Sequence, residues 1–204
     1  MLRRLALTLA LTGIAAPLLA ADFSDPTWPC VQRKVGALSA GLMWASPADA
    51  PAITDDRDLK AEIERLADVL SLRRVPLDDL RPTVEAFANQ NRGDAAVLNA
   101  VFTSVFSTLN TRRSQIIAGI EDFSLSQIAL SEKIDAARVE MDTLMAADAP
   151  DFDKVDALEE QLDWDQVIFS DRQKSIQYLC ETPVIIERRL FSIAQMLQQM
   201  VQDG

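Results

Sequence analysis

Two cysteines and a dense run of carboxylates are the only side chains in this sequence whose types and spacing suggest chemistry. Cys30 and Cys180 are its entire thiol complement. They lie far from the close CxxC spacing that sets one thiolate against its neighbour in redox sites. In an oxidising compartment, an isolated pair of this kind reads as one structural disulfide. Closing a loop of roughly 150 residues would be worth about 5 kcal/mol on the chain-entropy account. Two buried thiols or a bridge between molecules are the alternatives.

The carboxylates crowd between Glu140 and Asp165. Glu140, Asp142, Asp148, Asp151, Asp153, Asp156, Glu159, Glu160, Asp163 and Asp165 face a single base there, Lys154. Oxygen donors at that density suit a hard cation such as calcium. Yet the segment from Asp151 to Asp156 has neither the turn glycine nor the closing bidentate Glu of an EF-hand loop. The residues therefore read first as a solvated acidic tip, and next as a docking surface for a cationic partner. On that second reading Asp148, Asp151, Asp153, Asp156, Glu159 and Glu160 are the contacts. Trp28 and Trp44 join them as candidate partner-binding aromatics, although packing is the simpler role for both.

Catalysis finds little support. The chain has no histidine, which removes the commonest general base, the commonest zinc ligand and any His-assisted nucleophile. It carries no Gly-rich phosphate loop, Walker pattern or GxSxG. The expectation is a non-enzymatic protein with no cofactor and no catalytic residue. A cation-binding sensor built on the acidic tip is kept as an alternative.

The start of the chain explains the compartment. Met1-Leu2-Arg3-Arg4, an apolar run from Leu5 to Ala16 and the small residues up to Ala21 match a secretory signal peptide, here residues 1–21. The run is short of the roughly 20 apolar residues a membrane span needs, so no stable membrane insertion is expected after cleavage. Removal of this leader takes two of the 20 basic residues, leaving 18 against 31 acids, and the net charge moves from −11 to −13. Such a surface repels nucleic-acid phosphates and anionic lipid headgroups. Nucleic acid is not an expected partner.

The elements that position these groups follow from hydrophobic spacing. Residues 22–54 hold Pro26, Pro29, Pro47 and Pro51, which forbids a long helix; the expectation is an extended lead-in pinned by Cys30. Residues 55–204 form one helical domain. A first helix is predicted over about 55–73 on the stripe Leu59, Ile63, Leu66, Leu70, capped by Asp55 or Asp56. A second is predicted over about 82–91, opening at Pro82. Two long helices follow, about 95–147 and 151–202, folded back at Ala149-Pro150.

Apolar residues return along both long segments at alternating steps of three and four, the mark of helices that lie against each other for many turns. The first seam skips four residues between Leu109 and Ile120, where Arg112 and Arg113 lie. The second puts Asp165 and Arg172 on seam positions, which points to a loosely zipped pair or to pairing with another chain. Pro183 should kink the last helix. The fold places Cys180 opposite Gly119, whose missing side chain is predicted to leave room for Cys30. Near the chain ends the long helices are apolar on more than one face, so the two short helices are predicted to complete a four-helix base, from which a two-helix stalk projects.

The predicted fold class is all-α: a long antiparallel helical hairpin with two shorter helices at its base. The function expected is an exported scaffold or adaptor of a bacterial envelope, periplasmic and bound to another envelope protein. A homodimer through the hairpin is also open. The alternative is a holdase-like periplasmic chaperone, suggested by the Met-bearing apolar faces near the C-terminus.

Overall fold

The computed structural model describes residues 25–44 and 56–202. The signal-peptide assignment at 1–21 falls outside them, as do Pro47, Pro51 and the alternative cap Asp55. The described chain is all-helical: a 3-10 turn at Ala40–Leu42, then α1 (Arg57–Leu70), α2 (Leu77–Gln90), α3 (Ala95–Met145) and α4 (Phe152–Gln198).

Three of the four helices start on an aspartate whose side chain accepts otherwise unpaired amides of the first turn. Asp56 takes Asp58 N–H and Leu59 N–H at 3.0 and 3.1 Å. Asp94 takes Ala96 N–H and Val97 N–H, and Asp151 takes Lys154 N–H. The exception is α2, which begins at Leu77 behind Pro76 rather than at Pro82. Pro82 sits in its second turn and cannot donate to the Asp78 carbonyl. Burial of Leu80, with Leu77 packed beside it, recovers that turn, and Asp78 and Asp79 suit the positive helix end.

The α2–α3 junction needs Gly93. Its φ is +63°, and a Cβ there would stand 2.8 Å from the Met200 carbonyl oxygen. The chain's C-terminal segment crosses at this point, with Gln202 N–H donating to Gly93 C=O at 3.1 Å.

Helices α3 and α4 pack antiparallel along their whole length and form the hairpin. With 51 residues, α3 is about 75 Å long. Its inner end and that of α4 share a core with the short helices: Leu70 from α1, Val84 from α2, Leu98, Phe102 and Leu109 from α3, Ile186, Leu190 and Leu197 from α4. Trp44 closes this base. It is 5% exposed and stacks on Phe102 with ring centroids 5.5 Å apart. Arg189 ties α4 to the end of α1, donating to Leu70 C=O at 2.8 Å and Val75 C=O at 2.9 Å. Those contacts satisfy a carbonyl that the helix end leaves without an internal partner. Pro183 is buried inside α4, which continues through it.

The lead-in lies along α3 as a strap, running antiparallel to it. Asn110 Oδ1 accepts Leu38 N–H, Arg113 donates to Val35 C=O at 2.7 Å, and Ser124 donates to Pro26 C=O at 2.9 Å. Between these anchors the Cys30–Cys180 disulfide joins strap to α4, with Cα atoms 5.5 Å apart. The bond is buried on Ile120, with Ile116, Ile176, Leu179 and Trp28 around it.

Two seam details differ from the sequence reading. Gly119 is exposed, and a Cβ on it would meet nothing within 4 Å. The room for Cys30 comes instead from the flank of Ile116 and Ile120. The four-residue skip after Leu109 is filled by Arg113, buried to 4% exposure, and Ile117 is buried more deeply than Ile116. Desolvation lowers the Arg113 guanidinium below its usual value, opposed by Glu187 at 3.8 Å. The strap carbonyl of Val35 is what makes a guanidinium tolerable there.

Among the described residues, only two helices remain beyond the strap. Their interior is a small cluster of Ile134, Ala137 and Leu162, flanked by Leu130, Met141, Leu158 and Phe169.

Candidate functional site

The outer half of the hairpin carries polar seam positions, clustered acids and exposed apolar side chains that packing alone does not explain. Its seam is interrupted by polar side chains that make contacts across the two helices. Gln127 of α3 donates to Phe169 C=O at 3.2 Å. Asp165 of α4 is 7% exposed, and Lys133 of α3 reaches it, with Nζ 3.2 Å from Oδ1 and 2.9 Å from Oδ2. The shorter approach, to Oδ2, lacks hydrogen-bond direction, so Oδ1 is the hydrogen-bond acceptor. The partner of Asp165 is thus Lys133, and Arg172 lies half-buried one heptad on. Both contacts lie within one chain, while Gln127 Oε1 and Asp165 Oδ2 are buried without a hydrogen-bond partner.

Of the candidate acids, Asp156, Glu159 and Glu160 share one flank of α4, and Asp148, Asp151 and Asp153 lie at the turn. Asp148, Asp151, Asp153, Asp156, Glu159 and Glu160 are all exposed. Asp151 is engaged as the α4 cap and pairs with Lys154 at 3.5 Å. Among the described residues no three acidic or sulfur side chains stand close enough to share a metal ion.

The two tryptophans proposed for a partner face inward. Trp44 plugs the base core, which removes it as a contact surface. Trp28 is half-buried against the disulfide, and its indole N–H donates to Gln32 C=O at 2.7 Å. Trp44 is a packing anchor, and Trp28 packs on the disulfide with part of its surface still exposed. Nearby, Lys34 bridges Asp25 at 3.0 Å and Glu121. Hydrogen bonds from Thr27, then Lys34, bring the Asp25 carboxyl down to about 2. Glu121, then Asp25, raise the Lys34 ammonium above its usual value.

A different aromatic holds the exposed position. Trp164 is 64% exposed on the outer side of α4, with Val167 at 54% and Ile168 at 41%. Asp156, Glu159, Glu160 and Asp163 line a shallow notch with Trp164 and Val167. Tyr178 extends the same side of the helix towards the disulfide. The sequence signal was available: Trp164, Val167, Ile168, Asp171 and Tyr178 repeat at helical steps on the side of α4 away from its seam. It is masked by the stronger periodicity of the seam itself. No described helix is long and apolar enough to cross a membrane.

No family model, no curated protein and no solved structure matches this chain. The site's chemistry is therefore read from its own residues.

Proposed function

We propose that the protein is an exported, non-enzymatic scaffold or adaptor of a bacterial envelope, periplasmic, which engages another envelope protein through the outer half of its hairpin. One observation carries the reading: a large aromatic and two branched aliphatic side chains stand exposed together on the outer part of α4, where nothing in the described fold requires them. Clustered apolar exposure of this kind marks interaction surfaces. Export is supported by the basic, then apolar, start of the sequence and by the buried disulfide, which persists in oxidising compartments.

Placing a photo-crosslinking amino acid at Ile168 and irradiating intact cells tests the reading. At native abundance one discrete heavier species should form, and the same group at Glu64 on the base should give none. If Ile168 yields no adduct, the hairpin is not an interface. The holdase alternative draws on further exposed apolar groups at the base, Ile185 and Phe191. It predicts a smear of many clients and suppression of aggregation by the purified protein.

A further inference from the structure

We propose that the outer flank of α4 docks a basic amphipathic helix of a partner protein, with Trp164 as the anchor. This rests on the hairpin being a protein-binding element and supplies the chemistry of what it binds.

The shape of the surface selects a helix. Glu160, Trp164, Val167, Ile168, Asp171 and Tyr178 recur at steps of three, four and seven, which places them on one side of α4 over about 27 Å. This is a second seam, rotated away from the one that faces α3. Side-chain ridges with helical spacing accept the ridges of another helix between them, and an amphipathic partner segment lays its apolar face onto such a stripe. Trp164 supplies the largest apolar area, and tryptophan is the residue type that most often dominates binding energy.

Charge selects which helix. Asp156, Glu159, Glu160 and Asp163 crowd the side of Trp164 nearest the tip. Among the described residues none of these four has a basic side chain within ion-pair distance. Lys154 is turned to Asp151 and Lys174 to Asp171. A second copy of this chain carries the same excess of acid on this face, so like charge opposes self-pairing. Anionic lipid is repelled for the same reason. A segment rich in Lys or Arg beside its apolar ridge meets both demands. It lays aliphatic side chains on Val167 and Ile168, its cations fall between Glu160 and Asp163, and an Arg lies over the Trp164 indole face in a cation–π contact.

The test uses the processed, disulfide-bonded protein and two labelled 18-residue helical peptides with the same leucine positions. One carries Lys elsewhere and the other Glu; binding is read by fluorescence anisotropy across a salt series. The Lys peptide should bind and the Glu peptide should not. Trp164→Ala should weaken binding by roughly tenfold or more. The charge variant Glu160→Gln/Asp163→Asn should weaken it by about threefold and flatten the salt dependence. All three positions are exposed, so the fold is retained, and Glu64→Gln/Glu85→Gln on the base should bind as wild type.

Unchanged binding by Trp164→Ala would reduce the effect to general charge attraction and overturn the assignment. Equal binding of the Glu peptide would make the face an unselective apolar surface. Sedimentation showing a dimer that Trp164→Ala dissolves would hand the face to a second copy. If the peptides fail while Ile168 still crosslinks to one protein in cells, only the basic character of the partner is lost; if both fail, the hairpin is no interface.

Discussion

Replacing Cys30 and Cys180 together by serine should lower the unfolding free energy by about 3–5 kcal/mol. The bond closes a sequence separation of 150 residues, and constraining that loop in the unfolded chain is worth about 5 kcal/mol when the denatured state is fully expanded. A denatured chain that stays partly compact gains less, which sets the lower figure. The native strap does not depend on the bond alone: Arg113 holds Val35, Ser124 holds Pro26, and Trp44 is seated in the base core. The double variant should therefore fold with the same helix content. Urea unfolding followed by helical circular dichroism reads the difference. With a slope of about 2 kcal/mol per molar, the midpoint should fall by roughly 1.5–2.5 M. The slope itself should rise, because the unlinked denatured chain exposes more surface. Wild-type protein kept reduced should melt alongside the variant. A loss under about 1 kcal/mol with an unchanged slope would refute loop closure as the role of this bond.

Other outcomes follow from single contacts. Asp165→Leu extends the apolar stalk cluster and should stabilise by about 1–3 kcal/mol, whereas Lys133→Met strands a buried carboxylate and should cost about as much; calorimetric melting of both variants decides. Asp25 should titrate near 2 in a carboxyl NMR series, with the midpoint rising in Lys34→Met. Because its folded value lies below the unfolded one, its contribution is complete above about pH 4 and is lost as pH falls towards 2. Lys34, raised in the folded state, contributes fully below about pH 10 and is lost as pH rises through its folded value. Proteolytic nicking of the strap should therefore stay flat between those limits. Gly93→Ala meets both a left-handed backbone and the Met200 carbonyl, and should destabilise by about 1–3 kcal/mol in denaturant titration.

The hairpin was legible because one physical rule dominates it: paired helices bury residues every three or four positions, and α3 and α4 obey it for many turns. The capping aspartates were legible for an equally local reason. The start of α2 was misread because a proline at the first helical position is a good rule that burial of Leu80 overrides, a fact of tertiary packing. Arg113 and Arg189 were invisible as interior residues, since their partners are backbone carbonyls that any sequence possesses. Lys133 went unnoticed as the partner of Asp165 because spacing along one helix does not show which long side chain of the other reaches across. The acids of the tip could be named but not arranged, and Trp164 was hidden on the side that the main periodicity assigns to solvent. Trp44 could be weighed only as anchor or contact until Phe102 was seen beneath it.

The passage of α3 and α4 from four-helix surroundings to two-helix surroundings has a dynamic consequence. Amide protons at the base should exchange only through openings close to global unfolding, whereas those near Ile134 and Leu162 should need only the few contacts of a small cluster to part. Local fluctuation therefore rises steeply with distance from the N- and C-terminal ends of the pair.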